Sequence, residues 1–329
     1  MIIRFTVTLL FIILGCISCN STSKKHVIQG KAQGTTFTLI YFAEQNVQNL
    51  DQEIFSILEA IDNGLSTYKA DSYISKWNRG ESVDTLNTYF KEMYLLSKEI
   101  YTQTNGFFDP TVQPLSQYYG FEKKENVLPV DIDSILNFVG FNKLNLQGQS
   151  IQRSHPNVQL NYNAIAQGYT VDVIVDYLYT QNINNFIFEL GGEVFCSGLK
   201  PENKKWVIGV DRPQEDRDGT FQNELSITNL AVTTSGNYRK WKLDPDNGKK
   251  YTHTINPHTG ESAPSDLLSV TVIDKSCAKA DALSTAILSM KYQKSKLFLE
   301  NEKIPVMLIL EKEGDIIVEY VNGFEKYIN

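Results

Sequence analysis

Val306-Met307-Leu308-Ile309-Leu310, a break at Glu313-Gly314, and then Asp315-Ile316-Ile317-Val318-Glu319-Tyr320 read as two strands of a closing hairpin. Working back from it, Leu268 to Ile273, Trp206 to Val210 and Phe186 to Leu190 are further strand candidates, the last ending at Gly191-Gly192. Thr35 to Phe42 alternates like a strand after Gly34. Helical spacing relates Leu50, Ile54, Ile57, Leu58, Ile61 and Leu65. A second helix covers about 88–104, a third begins near Ala164 and runs to Tyr179, and Ala280 to Met290 is also helical. Hairpin-like pairs dominate the C-terminal half, so the expected class is α+β, with mainly antiparallel sheets and packed helices. The polar stretch 212–224 is expected to be a surface loop.

The chain has 329 residues, 42% hydrophobic and 21% charged, enough for a substantial core. Its net charge is −7 and no basic block stands out, which argues against a nucleic-acid partner. Met1 to Arg4 gives a basic start and Phe5 to Gly15 an apolar run of signal-peptide length. Gly15-Cys16 and Ser18-Cys19 follow, and a small residue before a Cys at this place resembles a bacterial lipoprotein signal. The expected division is a signal peptide over 1–19, a polar tether over 20–26 and one catalytic domain over 27–329. Cys19, or alternatively Cys16, would be lipidated. The product would be exported and anchored through its lipid to a bacterial membrane, facing the periplasm. No later segment is long and apolar enough to cross a membrane. Cys196 and Cys277 are too few for a disulfide framework, and either one bridge or two buried thiols would fit.

Several segments combine Gly or Pro geometry with reactive side chains. In Thr104-Asn105-Gly106-Phe107-Phe108-Asp109-Pro110, a tight turn sets an acid beside two rings on which a flat ligand can stack. Asn161 to Tyr169, followed by Asp172, lies where extended chain becomes helix, and free N–H groups at a helix start attract anions. Gly191-Gly192-Glu193 allows close backbone approach. Thr233-Thr234-Ser235-Gly236 lacks the G-x-S-x-G pattern of a serine hydrolase and better suits hydrogen bonding to phosphates. In His253-Thr254-Ile255-Asn256-Pro257-His258, His253 is the natural proton acceptor, with His258 as the alternative. Asp281 and Thr285 stand one helical turn apart and share a face, a hard-oxygen pair suited to Mg²⁺. No His/Cys cluster has zinc spacing.

In this order the segments resemble the ApbE family of FAD:protein FMN transferases. The likeness runs from Gly34-Thr35-Thr36 through Leu65-Ser66-Thr67-Tyr68, with Ser72, Ile74 and Asn78, to Thr285. The resemblance implies a T-fold-like, ApbE-type architecture, FAD as substrate and Mg²⁺ as cofactor. It places Tyr68, Phe107, Phe108, Asp109, Asn161, Gln167 and Ile255 at FAD. It places the Ala164 carbonyl, Asp281 and Thr285 at the metal, and His253 at the family's essential histidine. The reaction it implies transfers FMN from FAD to a Thr (or Ser) hydroxyl of a target protein and releases AMP. The acceptor would be a subunit of a membrane electron-transfer complex. Alternatives are an FAD pyrophosphatase giving FMN and AMP, and a flavin-binding lipoprotein without catalysis. Gln33, Asn161, Gln167 and Asn256 depart from the family's usual residues, the last three by loss of charge.

Overall fold

The computed structural model describes residues 23–83, 85–122, 131–213, 220–238, 241–243, 248–262 and 265–329. Cys16 and Cys19, with the expected signal peptide, lie outside them. In chain order the first half forms β1 (Lys24–Ala32), β2 (Thr35–Ala43), α1 (Leu50–Leu65), α2 (Tyr73–Arg79), α3 (Thr88–Gln103), α4 (Gln113–Tyr118), α5 (Ile132–Leu136), β3 (Leu144–Gln147) and β4 (Ser150–Arg153). The second half forms α6 (Ala166–Thr180), β5 (Phe186–Leu190), β6 (Glu193–Ser197), β7 (Trp206–Asp211), β8 (Phe221–Ile227), β9 (Leu230–Gly236), β10 (Trp241–Leu243) and β11 (Lys250–Thr252). It closes with β12 (Leu267–Asp274), α7 (Cys277–Ser289), α8 (Lys291–Asn301), β13 (Val306–Lys312) and β14 (Asp315–Val321).

Eight strands make one sheet in the order β1-β2-β5-β6-β9-β12-β13-β14, and every pairing in it is antiparallel. One face carries the helices. Phe37, Leu39, Phe186 and Phe188 meet Ile54, Leu58, Ile174 and Leu178 there, and Val270, Val272 and Leu308 meet Leu283, Ala286 and Ile287. The β7–β8 hairpin covers the other face, where Trp206, Ile208, Leu225 and Ile227 pack on Val194, Cys196, Val232 and Ile309. Cys196 and Cys277 are free, buried thiols in different core clusters.

The antiparallel expectation holds, and the closing hairpin is β13–β14. Two boundaries move. The domain starts at Lys24, which pairs with Ala43, so Lys24 to His26 belong to an edge strand rather than to a tether. An edge strand tolerates such polar residues because its side chains stay in water while its backbone is paired. The loop expected over 212–224 ends early, because β8 starts at Phe221, whose ring packs on Gly209.

The feature that positions the site is the contact between α6 and α7. A Cβ on Gly168 would stand 2.5 Å from the Cys277 carbonyl oxygen and 2.8 Å from the Asp281 Cβ, so only glycine lets the helices approach this closely. At a solvent-exposed helical site Gly→Ala stabilises by up to about 1 kcal/mol. Here overpacking against backbone outweighs that gain. Gly168→Ala is expected to lower stability by about 1–3 kcal/mol in urea unfolding, and a gain would show that the helices are not in this register.

Candidate active site

α6 and α7 serve each other's N-termini. The Asp172 carboxylate of α6 accepts from Ser276 Oγ (2.7 Å) and from the N–H groups of Cys277 (2.8 Å) and Ala278 (3.0 Å) at the start of α7. In return Asp281 Oδ2 of α7 accepts from the Gly168 N–H at 3.1 Å in the first turn of α6. No side chain caps α6 at Ile165, so this carboxylate takes that place. The Gly168 N–H is thereby diverted from the Ala164 carbonyl four residues back. That carbonyl has no donor among the described residues.

Asp281 is 6% exposed. Burial pushes its carboxyl up to about 7, the Gly168 N–H opposes the shift, and the nearby Asp172 charge adds to it. Thr285, one turn on, bonds Ser235 Oγ at 2.9 Å, and Ser235 also bonds Ser284 Oγ at 2.8 Å. A buried carboxyl near another carboxylate, a carbonyl without a donor among the described residues and a hydroxyl line one cavity as hard oxygen donors, so these residues fit a divalent metal. Among the described residues no cluster of three His, Cys, Asp or Glu side chains forms a metal site. The fit rests instead on one carboxylate with neutral oxygens.

One cavity of about 730 Å³ is lined by Tyr68, Phe107, Phe108, Asp109, Asn161, Ala164, Gln167, His253, Ile255, Asp281 and Thr285, so the residues that the resemblance places at substrate, metal and catalysis meet there. Its aromatic wall is built by the 104–112 turn. Gly106 takes φ +82, Thr104 Oγ1 accepts from the Phe108 N–H at 3.1 Å, and Asp109 accepts from Thr111 N (2.8 Å) and Thr111 Oγ1 (2.6 Å). Burial raises the Asp109 carboxyl to about 6 against the pull of those bonds and of one from the Phe141 backbone. Much of its hydrogen-bonding capacity therefore goes into holding its own turn.

Tyr68 stands 71% exposed at the mouth, and its hydroxyl donates to Glu122 Oε1 at 2.9 Å. Asn163 Nδ2 donates to the same oxygen at 2.9 Å. Burial and the Glu122 charge push Tyr68 up to about 12, which keeps its ring neutral. Gln167 packs over Gly191, where a Cβ would meet its Nε2 at 2.8 Å. His253 follows β11 into the cavity. His258 does not line it: its ring is exposed, Nε2 lies 3.0 Å from the Asn105 carbonyl, and it meets Phe107 edge-on. Between the two histidines the geometry favours His253.

Two of the departures from the family pattern have a structural use. Asn161 Nδ2 donates to Gln113 Oε1 at 2.7 Å while its Oδ1 accepts from the Asn163 N–H at 2.8 Å, and a carboxylate performs only the second. Asn256 Oδ1 accepts from the His258 and Thr259 N–H groups and so fixes the turn after His253, as an Asp would, while its Nδ2 donates to the Ser289 carbonyl at 3.5 Å, as an Asp would not. Glu122 and the β7 residues also line the cavity, and sequence reasoning missed both. Glu122 lies in no motif, and a strand edge leaves no side-chain signature.

A model described as the ApbE family matches residues 33–308. An FAD:protein FMN transferase of Vibrio cholerae is 30% identical over 318 residues, covering 94% of this chain and 92% of that protein. Its namesake in Haemophilus influenzae is 27% identical, covering 95% of this chain and 94% of its own. Among solved structures, the flavin transferase ApbE from Vibrio cholerae superposes with TM-score 0.80 at 28% identity, over 93% of this chain and 99% of that one. The apo form of Pseudomonas stutzeri flavinyl transferase ApbE gives 0.82 at 27% identity, over 93% and 97%.

The raised Asp281 value sets a pH dependence. The folded metal-free protein binds this proton more tightly than the unfolded chain, so the contribution of Asp281 to stability is fullest below about pH 4 and is lost as pH rises through about 7. Asn at this position still accepts from Gly168 and carries no charge. Asp281→Asn is therefore expected to be the more stable protein at pH 8 in chelator, by at most about 4 kcal/mol. Equal unfolding midpoints at pH 8 would contradict this.

Proposed function

The chain belongs to the ApbE family, and on that premise we propose that it moves the FMN half of FAD onto a Thr or Ser hydroxyl of a target protein, using a divalent cation. It is an enzyme of flavin transfer, as its relatives over nearly the whole chain are named. The observation that carries the finer reading is the buried Asp281 carboxyl, which accepts from the Gly168 N–H and lines one cavity with Ala164, Thr285, His253 and an aromatic mouth.

Tyr68, Phe107 and Phe108 offer ring faces and edges to the flat groups of FAD, and Asn161 and Gln167 offer amides for its polar edges. Thr234 and Ser235 line the cavity where the diphosphate would lie, together with the Gln167 N–H, the one first-turn N–H of α6 with no acceptor among the described residues. Asp281, Thr285 and the Ala164 carbonyl would hold Mg²⁺, which would offset the charge of the diphosphate. The acceptor hydroxyl oxygen bonds the FMN-side phosphorus while the bond from that phosphorus to the bridging oxygen breaks and AMP leaves with the bonding pair. His253 takes the hydroxyl proton. Phosphoryl transfer depends chiefly on such positioning and charge neutralisation. We further propose export and lipid anchoring through Cys19 or Cys16, which places the acceptor at a bacterial membrane, in keeping with a subunit of an electron-transfer complex.

His253→Ala is expected to lower transfer about 10²- to 10⁴-fold with FAD binding unchanged, read by mass spectrometry as FMN added to one Thr of the acceptor. Wild-type rates in that variant would remove the assignment. Asp281→Ala is expected to abolish Mg²⁺-dependent turnover, and full AMP release by that variant in chelator would exclude the metal role. AMP release at the same rate with and without acceptor would identify an FAD pyrophosphatase, and intact FAD under all conditions a binding protein.

A further inference from the structure

The cavity extends beyond the residues proposed for FAD and metal. It is lined by Ile187, Val194 and Val232 of the main sheet and by β7. Along β7 both alternating sets of residues line the cavity, Val207 and Gly209 as well as Ile208 and Val210. Successive side chains of a strand point to opposite faces. A cavity touching both sets therefore runs along the strand's edge.

That edge is unpaired. β7 pairs only with β8, and among the described residues no other strand pairs with Val207–Val210. The outer edge of β8 is covered, by a bridge from Leu225 to Ile328 and by the Asn329 N–H on the Glu224 carbonyl at 2.9 Å. Proteins commonly guard free edges with charge or proline. The main sheet does so with Lys24, Lys25 and Lys31 on β1 and with Asp315 and Glu319 on β14. β7 carries a charge only at its last residue, Asp211, and Trp206-Val207-Ile208-Gly209-Val210 before it has none. This edge faces the reaction cavity, where an unblocked backbone ladder is of use.

We propose that the edge of β7 is the docking strand for the acceptor: an extended segment of the target protein adds to it as a third strand and presents its hydroxyl to the phosphorus beside His253. The inference rests on the transferase reading, since only a second, polypeptide substrate needs this end of the cavity. Main-chain hydrogen bonds supply affinity with little demand on sequence, and the apolar wall of Ile187, Val194 and Val232 receives small side chains. Glu189, which shares its sheet face with Ile187, and Asp211 at the end of β7 line the same end, which disfavours a second nucleotide and suits a neutral or basic segment.

The test starts from the protein that becomes fluorescent with covalent flavin when wild-type enzyme, FAD and Mg²⁺ are added to lysate of a strain lacking the enzyme. Its labelled tryptic segment, resynthesised as a short peptide, is the probe. N-methylation of the peptide backbone, one position at a time, is expected to raise KM about tenfold at alternate positions, as the loss of one or two hydrogen bonds requires. Intervening positions should be neutral, and kcat and FAD affinity unchanged. Equal tolerance at all positions, or a peptide left unlabelled although its parent protein is labelled, would overturn the docking strand and leave FMN transfer standing. If no protein is labelled at all, the transferase reading fails and this inference with it.

Discussion

The molecule depends on the contact between α6 and α7 at Gly168. Absence of a side chain there brings the Asp281 carboxylate to the first turn of α6, and the Asp172 carboxylate closes the first turn of α7. Each helix thus holds the other in register through charge at an N-terminus, where the backbone dipole favours it. The cost is a buried carboxylate next to a second one, offset in part by hydrogen bonds. On the proposed function, that partly compensated carboxyl, beside an Ala164 carbonyl without a donor among the described residues, is where a cation and the diphosphate would meet.

The sheet and its coverings add the remaining parts. Helices on one face fix Asp281 and Thr285, while the connection after α3 carries the aromatic turn and the chain after β11 carries His253. The β7–β8 hairpin on the opposite face walls the far end of the cavity. Rigid elements carry the residues proposed for metal and phosphate, and turns carry those proposed for the ends of the substrates. The Asn256 amide shows how this is done cheaply: one side-chain oxygen accepting two N–H groups sets the turn behind His253.

Much of this was legible in the sequence because it rests on local pattern. The apolar period of Leu50 to Leu65 and the strands around Phe186 and Leu308 follow from side-chain periodicity alone, and α1 has the expected bounds. The i, i+4 relation of Asp281 and Thr285 likewise needs only a helix. What stayed hidden is non-local. Nothing near Asp172 announces that it caps a helix more than a hundred residues away, and nothing near Glu122 announces Tyr68. Lys24 to His26 looked like tether because pairing to β2 is a backbone property. The free edge of β7 was invisible for the same reason.

The most direct measurement is anomalous scattering from crystals of the protein grown with FAD and soaked in Mn²⁺ as a stand-in for Mg²⁺. One metal peak is expected within bonding distance of an Asp281 carboxylate oxygen, Thr285 Oγ1 and the Ala164 carbonyl, in contact with the diphosphate of FAD. A peak elsewhere in the cavity, or FAD bound with those three oxygens turned away from its phosphates, would contradict the assignment.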